Sequence, residues 1–305
     1  MSCSQSEQLE GELEGADVCA CCGIAGVDDV KMKMCDGGCA LVKYCSVECQ
    51  ENHREQHEEE CKKRKAELHD KKIFTQPDIS HMGECPICFL PLPLVPTKSI
   101  FMGCCSKMIC KGCCYANMKR EKAAGLEQRC PFCRNPAPKS QDEIYKNVME
   151  RIKKKDPVAM TEMGKRNRRE GDYEKALEYF TKAVDLGDVT AQFCLATLYY
   201  KGEGVEKDMK KAVYRWEQAA IGGHPSARAC LSEYEKNKGR FNRAAKHFII
   251  AANLGHDLSL KYVKDLFVQG VVSKEDYAAA LRAYQAAVNE TKSAERDEAE
   301  AYYTS

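Results

Sequence analysis

Cysteine spacing constrains this chain more than any other feature. Cys85 and Cys88 form one Cys-x-x-Cys pair, Cys130 and Cys133 form a second, and all but two of the 20 cysteines lie before residue 134. Two thiols at this spacing let a single turn present two sulfur ligands to one metal ion. We therefore predict that zinc organises the N-terminal half of the chain.

The first 17 residues favour a reducing compartment, in which thiols stay available for metal. They carry five acidic residues, no Lys or Arg and no apolar stretch, which predicts neither a signal peptide nor a transit sequence. No segment approaches the length of a membrane span. In such compartments paired cysteines are more often metal sites than disulfides. We expect a cytoplasmic or nuclear protein with no membrane partner.

The charge balance argues against a nucleic-acid partner. The formal net charge is +1, but zinc-bound cysteines are thiolates, and four occupied sites would take the protein to about −6. The basic run at residues 62–65 is then interpreted as a solvated helix end close to thiolates. We expect no nucleic-acid binding.

Eight candidate donors upstream of residue 62 fall into four pairs. The pairs are Cys19 with Cys22, Cys35 with Cys39, Cys45 with Cys49, and His57 with Cys61. Zinc takes four N or S donors, and residues four apart share one helix face. The pattern resembles the MYND zinc finger. That resemblance implies one zinc on Cys19, Cys22, Cys45 and Cys49, and a second on Cys35, Cys39, His57 and Cys61.

Three further positions bear on the MYND resemblance. Cys21 competes with Cys22 for the second ligand position, and we prefer Cys22 because the spacing to Cys21 is tighter and less common. His53 fits the ligand spacing less well and is interpreted as a surface or packing histidine. Family members usually carry Trp where this chain has Arg54, and that Trp helps to line a groove for Pro-rich peptides. The chain departs from the family at that groove.

The segment from residue 85 to residue 134 resembles the RING finger. Cross-brace wiring implies one zinc on Cys85, Cys88, Cys110 and Cys113, and another on Cys104, Cys105, Cys130 and Cys133. Many family members have a residue between the third and fourth ligands, whereas Cys104 and Cys105 are adjacent. The sequence therefore leaves three possibilities for the second zinc site: it has four ligands, it has three, or it does not form. Cys114 is either a spare thiol, which we favour, or an alternative ligand.

RING fingers bind a ubiquitin-conjugating enzyme and promote ubiquitin transfer from its thioester, without a covalent nucleophile of their own. The resemblance implies three contact residues here: Ile87 as an apolar anchor, Pro131 in the final knuckle, and Arg134 as a cation that bridges two surfaces. The residues alone leave two other readings open. Ile87 could belong to the core, and Arg134 could be an ordinary surface cation.

The C-terminal half shows internal repetition. Gly187, Gly223 and Gly255 follow similar Ala-rich segments at periods of 36 and 32 residues. The pattern of each unit predicts two helices joined by a turn. Stacked units of this kind form a solenoid, which offers a surface for partner proteins. The pattern resembles Sel-type repeats, relatives of tetratricopeptide repeats, over residues 156–290. We predict that residues 291–305 form a helix that caps the stack.

The predicted fold class is therefore small zinc-stabilised modules, MYND-like and RING-like, followed by an all-α helical-repeat solenoid. The predicted segments are an acidic disordered tail at 1–18, a MYND-type finger at 19–61, a helical extension and linker at 62–84, a RING-type finger at 85–134, repeats at 156–290 and a capping helix at 291–305. The leading functional hypothesis is a ubiquitin-protein ligase whose repeats hold a protein target. The alternative is a zinc-stabilised scaffold without ligase activity.

Metal stoichiometry tests the ligand assignment. Native mass spectrometry of the purified chain should show four zinc ions, because four complete donor sets are predicted. Three ions would indicate that the adjacent cysteines at 104 and 105 cannot complete a site. A chain that stays folded after exhaustive chelation would contradict the zinc hypothesis altogether.

Overall fold

The computed structural model describes residues 18–24, 26 and 31–304. Nearly all of the predicted acidic tail, residues 1–17, lies outside the described residues. The chain divides into two compact units, Met1–Ile73 and Phe74–Ser305.

The first unit is built around metal-ligating side chains rather than an apolar core. Strands β1 (Lys33–Met34) and β2 (Lys43–Tyr44) pair antiparallel, and helix α1 (Val47–Phe74) follows. The buried cluster consists of Cys19, Cys35, Cys39 and Tyr44. Because α1 is almost entirely polar, this unit has little apolar surface to bury.

The second unit begins with a compact module over residues 85–134. Strands β3 (Ser99–Met102) and β4 (Lys107–Cys110) form an antiparallel hairpin, and helix α2 (Lys111–Ala123) starts directly after it. Leu92 and Ile109 are the fully apolar members of its buried cluster, which otherwise consists of cysteines. The hairpin continues into the helical half, where Phe101 packs with Val148 and Met163.

Helices occupy the rest of the second unit. Their bounds are α3 Gln141–Lys153, α4 Pro157–Arg169, α5 Tyr173–Asp185, α6 Val189–Lys201, α7 Met209–Ile221, α8 Pro225–Asn237, α9 Phe241–Asn253, α10 Asp257–Val268, α11 Lys274–Glu290 and α12 Ala294–Thr304. Within the array, α4 pairs with α5, α6 with α7 and α8 with α9, and each pair packs on the next. The prediction of an all-α solenoid is confirmed.

Local sequence explains the regularity of the array. Gly187, Gly223 and Gly255 have φ of 84°, 80° and 86°, a left-handed conformation that glycine adopts without steric cost. Aspartates cap the starts of several helices, and Ser273 Oγ accepts a hydrogen bond from Asp276 N at 3.0 Å. Small residues at the helix contacts are fully buried: Ala176, Ala183, Ala212 and Ala219. The helix axes can therefore approach closely.

A strap, defined here as residues 75–83, connects α1 to the second zinc module and lies along the solenoid. Arg228 Nη2 donates to Thr75 O at 3.1 Å, and His81 N donates to Gly223 O at 3.0 Å. The imidazole of His81 stacks on that of His224, with ring centroids 3.9 Å apart. A Cβ on Gly223 would lie 2.7 Å from a strap carbonyl oxygen. The predicted linker is thus fixed to the repeats by specific contacts.

The C-terminal helix packs elsewhere than predicted. The sequence indicates a helix that caps the solenoid, and the helix does form, as α12. In the structure α12 packs against α2 of the second zinc module, and its Ala299 is fully buried. The polar composition that suggested a cap also supplies ion pairs to that module, such as Lys119 Nζ with Glu298 Oε1 at 2.5 Å.

The strap should weaken as pH falls. Burial, together with the charge of Lys165, lowers the pKa of His81 from 6.5 to about 4. An unfolded strap takes up a proton at His81 near pH 6.5, so the folded state loses stability between pH 6.5 and pH 4. At pH 5 the expected loss is about 2 kcal/mol relative to pH 7.5.

His81→Phe keeps an aromatic ring for the stack but cannot titrate. We expect thermal denaturation to show a smaller loss of stability between pH 7.5 and pH 5 in this variant than in the wild type. Acid weakens zinc binding in both proteins, so the difference between their two losses reports the titration of His81 together with its effect on the stacked His224, whose pKa is lowered by burial and by the charge of His81. Equal losses would contradict the assignment.

Candidate metal centres

Three of the Cys-x-x-Cys pairs, 19/22, 85/88 and 130/133, share one backbone geometry. The carbonyl of the first cysteine accepts a hydrogen bond from the residue after the second: Gly23 N to Cys19 O at 2.9 Å, Phe89 N to Cys85 O at 2.9 Å, and Arg134 N to Cys130 O at 3.0 Å. Gly23, Phe89 and Arg134 have φ of 75°, 58° and 62°. This tight turn brings both thiols of a pair to one side of the backbone.

The turn geometry bears on the choice between Cys21 and Cys22. The glycine with positive φ follows Cys22, so Cys22 occupies the second thiol position of the turn. Cys22 lies in a donor group with Cys19, Cys45 and Cys49, whereas Cys21 is exposed and outside it.

Ligand atoms gather in four groups within the described part of the chain. The groups are Cys19, Cys22, Cys45 and Cys49; Cys35, Cys39, His57 and Cys61; Cys85, Cys88, Cys110 and Cys113; and Cys104, Cys105, Cys130 and Cys133. In each group the ligand atoms lie within 4.8 Å of one another. The groups have the same members as the sets that the family resemblances implied.

Distances in the first unit fit a tetrahedral zinc. A Zn–S bond of about 2.3 Å requires sulfur atoms about 3.8 Å apart. Cys45 Sγ lies 3.6 Å from both Cys22 Sγ and Cys49 Sγ. In the other group Cys35 Sγ lies 3.8 Å from Cys61 Sγ. The donor sets have the chemistry and the spacing of structural zinc sites.

Helix α1 supplies donors to both groups of the first unit. Cys49 lies in its first turn, where Cys49 N donates to Ser46 Oγ at 3.1 Å. His57 and Cys61 are one helical turn apart and face the same group. Gly37 lies against this group, since a Cβ there would be 2.6 Å from Cys61 Sγ. A side chain at position 37 would displace a ligand.

His53 stands outside the ligand groups and supports one of them. Its Nδ1 lies 3.1 Å from the hydroxyl of Tyr44, which is buried, and its ring stacks on His57 with centroids 5.8 Å apart. This packing role matches the interpretation from spacing. Arg54 is exposed.

The adjacent cysteines at 104 and 105 both face one donor group. Cys104 Sγ lies 3.4 Å from Cys133 Sγ, and Cys105 Sγ lies 3.9 Å from Cys130 Sγ. They lie in the β3–β4 turn, which is closed by a 2.7 Å hydrogen bond from Ser106 N to Met102 O, and Ser106 has φ of 56°. This sharp bend lets neighbouring residues point toward the same knuckle.

Helix α2 helps to hold the other group of this module. Cys110 immediately precedes the helix, and its Sγ accepts a hydrogen bond from Cys113 N at 3.4 Å. Amide groups at a helix N-terminus stabilise thiolates, the form that binds metal. Cys114 follows Cys113 but lies outside the group, and burial raises the pKa of its thiol to about 12. That environment suits the spare-thiol interpretation.

The proposed contact residues lie on the surface of the same module. Ile87 is 37% exposed, while Pro131 is half-buried. Arg134 Nη2 donates to Glu121 Oε1 at 2.8 Å, and its Nη1 donates to Asn117 Oδ1 at 2.9 Å. Arg134 is therefore tied to its own module as well as exposed.

Glu121 is a buried carboxylate that sequence reasoning missed. Burial would raise its pKa, but hydrogen bonds from Arg129 N and from Arg134 outweigh burial and hold the pKa below its usual range. Glu121 thus stays charged beside the final knuckle. Asn117 Nδ2, one helical turn away, also donates to Glu121 Oε2 at 3.0 Å. No local motif marked Glu121 as a buried charge, because the backbone donor Arg129 and the cation Arg134 lie 8 and 13 residues away in sequence.

Family models match two parts of the chain. Residues 19–61 match the MYND finger, and residues 157–188, 189–224 and 236–256 match the Sel1 repeat. The chain carries a MYND finger and Sel1 repeats. The cysteine groups of residues 85–133 lie outside these matches and indicate further zinc sites that follow the MYND finger in sequence.

Similar proteins cover only parts of this chain. Two Helicobacter pylori proteins named "Putative beta-lactamase HcpC" are 43% identical over 56 residues (strain J99) and 42% identical over 52 residues (strain 26695). These stretches are 18% and 17% of this chain, and 19% and 18% of the relatives, so the chain spans about a fifth of the length of the curated relatives it matches.

Solved structures with partial similarity include a Sel1 repeat protein from Oxalobacter formigenes. It is 21% identical with a TM-score of 0.44, covering 59% of this chain and 72% of that one. Another is c5321 from uropathogenic Escherichia coli, a protective antigen with an SLR fold, at 22% identity and a TM-score of 0.40, covering 63% of this chain and 39% of that one.

The donor chemistry makes these centres structural. Catalytic zinc keeps an open position for water, usually beside His or carboxylate ligands, whereas each group here offers four Cys or His donors. The Sel1 repeats add a helical surface for protein partners. The molecule is a zinc-binding protein with the architecture of an interaction scaffold. Across the described residues, no helix is long and apolar enough to cross a membrane.

Neighbouring cysteines provide matched tests of the ligand groups. Cys22→Ser should lower the zinc content by one ion per chain, because it removes one of four donors from its group. Cys21→Ser, next to it in sequence, should leave the content unchanged. Inductively coupled plasma mass spectrometry measures both.

The pair Cys113→Ser and Cys114→Ser repeats the comparison in the second module. Loss of zinc from the Cys21 or Cys114 variant, with retention in its neighbour, would show that the groups are assigned wrongly.

Proposed function

We propose that this protein is a RING-type ubiquitin-protein ligase. The observation that carries the proposal is the alternating order of donors in the second zinc module. Its first and third pairs along the chain, 85/88 and 110/113, share one group, and its second and fourth, 104/105 and 130/133, share the other. This cross-brace arrangement is what the RING resemblance implies.

The two knuckles of this module offer an apolar surface for a conjugating enzyme. Phe89 is 71% exposed and Phe132 is 43% exposed, beside the half-buried Pro131 and the exposed Ile87. Large apolar side chains on a rigid turn are suited to fill a pocket on a partner protein. The tight turns around the cysteines supply that rigidity.

Arg134 would contribute charge at the edge of this surface. Its pair with Glu121 holds the guanidinium in place, and its remaining N–H donors stay available to a partner. A preorganised arginine loses less side-chain entropy on binding than a free one. No nucleophile of this chain is required, because the thioester belongs to the conjugating enzyme.

The Sel1 repeats would hold the target protein. The strap already covers the surface formed by Gly223, His224 and Arg228, so the target would bind elsewhere on the repeats. Tyr200 and Tyr214 are 43% and 54% exposed and provide large contact surfaces there.

The second candidate function is a scaffold without ligase activity. The pairing of Arg134 with a buried carboxylate favours it, because such an arginine also has a purely structural role. Ligase and scaffold differ in one measurable respect: only the ligase discharges a conjugating enzyme.

An autoubiquitination assay with a panel of conjugating enzymes decides between them. We expect the wild type to form chains, and Ile87→Ala to slow chain formation at least about tenfold through loss of an apolar anchor. Val268→Ala removes a 75% exposed apolar side chain from α10 and serves as the control with unchanged activity. Wild type that holds all its zinc and forms no chains with any enzyme would establish the scaffold.

Arg134 needs a double variant, since Arg134→Ala alone leaves the buried charge of Glu121 unpaired. Arg134→Ala combined with Glu121→Gln removes both charges together. We expect this double variant to keep its zinc and lose ligase activity. Full activity in the double variant would assign Arg134 a structural role only.

A further inference from the structure

The side chain of Arg296 on α12 reaches the first knuckle of the second zinc module. Its Nη1 donates to Pro91 O at 2.7 Å, and its Nη2 donates to Leu90 O at 3.2 Å and to Cys88 Sγ at 3.4 Å. Nη1 also donates to Thr291 O at 2.7 Å, at the start of its own segment. One guanidinium thus joins the C-terminal helix to a metal-ligating sulfur more than 200 residues away in sequence.

The backbone of α12 is pressed against the same module. A Cβ on Gly112 would lie 2.9 Å from both the backbone nitrogen and Cγ of Arg296, so this approach requires glycine. Gly112 lies between the ligand positions Cys110 and Cys113. The helix therefore docks directly behind one zinc-binding group.

Peripheral contacts hold the helix in this orientation. Lys119 and Lys98 pair with Glu298 and Glu300 at 2.5 Å and 2.9 Å. The Tyr115 and Tyr302 rings lie 4.8 Å apart, and Lys111 Nζ lies 4.4 Å from the centre of the Tyr303 ring. Because these pairs are exposed, each contributes little, and Arg296 makes the most enclosed polar contact among them.

A zinc ion with four thiolates would give this contact particular weight. Such a centre carries a net charge of about −2. A guanidinium hydrogen-bonded to one of the sulfurs offsets part of that charge, and hydrogen bonds to charged groups are roughly twice as strong as neutral ones. Groups that contact the ligands in this way change metal affinity by about 10- to 100-fold.

We propose that Arg296 is an outer-shell partner of the zinc centre formed by Cys85, Cys88, Cys110 and Cys113, and that zinc retention and docking of α12 are coupled. Linkage makes the coupling reciprocal: bound zinc strengthens docking of α12, and docking of α12 strengthens zinc binding by the same factor. Lysine cannot replace Arg296, because one ammonium cannot reach the three carbonyl oxygens and the sulfur with the geometry of a fork.

Zinc release from the full chain to a colorimetric chelator, 4-(2-pyridylazo)resorcinol, tests the proposal. Timed alkylation and peptide mass spectrometry identify which cysteines become free in each phase. We expect Arg296→Gln and Arg296→Lys to release zinc from the 85/88/110/113 group about tenfold faster than wild type. The groups in the MYND finger should release zinc at the wild-type rate.

Two further variants separate the charge from general damage. Arg282→Gln removes an exposed arginine from α11 and should leave every release rate unchanged. Gly112→Ala disrupts helix docking while keeping Arg296, and hydrogen exchange of residues 294–304 reports that disruption. In this variant too, the same group should release zinc faster.

Two outcomes would overturn the proposal. One is an unchanged release rate from the 85/88/110/113 group in Arg296→Gln. The other is equal acceleration at all zinc groups, which would mean that the substitution destabilises the chain as a whole. Both outcomes are independent of ligase activity.

Discussion

Convergence of distant cysteine pairs on shared metal ions is the constraint on which the N-terminal half depends. Each group combines pairs that lie tens of residues apart, such as Cys19 and Cys22 with Cys45 and Cys49. Little apolar surface is available to do this, since α1 buries only His57 and Ile73 over 28 residues. A structural zinc supplies about 10 to 16 kcal/mol of apparent binding energy, which replaces the missing core.

The second zinc module shows how a metal-held turn is joined to a conventional helical fold. Its hairpin packs through Phe101 on α3 and α4, the strap leading into it is bonded to α8 and its neighbours, and α12 closes on α2. The strap precedes the module in sequence, the hairpin is part of it, and α12 comes from the C-terminal end of the helical array. A partner on the knuckles and a partner on the repeats would therefore be held at a defined separation, which suits both a ligase and a scaffold.

Charge placement around the knuckles follows one physical rule, that ionised groups near thiolates are paired. Arg134 meets the buried Glu121 at the last knuckle, and Arg296 meets Cys88 at the first. Either arginine has a structural reason to be present, independent of any partner protein. Removing Arg134 alone is therefore costly by itself, because it leaves the buried charge of Glu121 without its cation.

Local rules in the sequence were sufficient for the helices and for most of the ligand pairs, whereas the sorting of those pairs into donor groups was implied only by the family resemblances. Each of the local features depends on residues that are close in sequence, so the sequence predicts it directly. They are the spacing within a ligand pair, the helix caps, and the glycines at 187, 223 and 255. Long-range contacts decided the rest: that a sharp turn brings Cys104 and Cys105 to one group, that the strap lies on the repeats, that Glu121 pairs with Arg134, and that α12 docks on α2 and not as a cap. These depend on surfaces that exist only after the helices and knuckles have packed, and no periodicity in the chain encodes them.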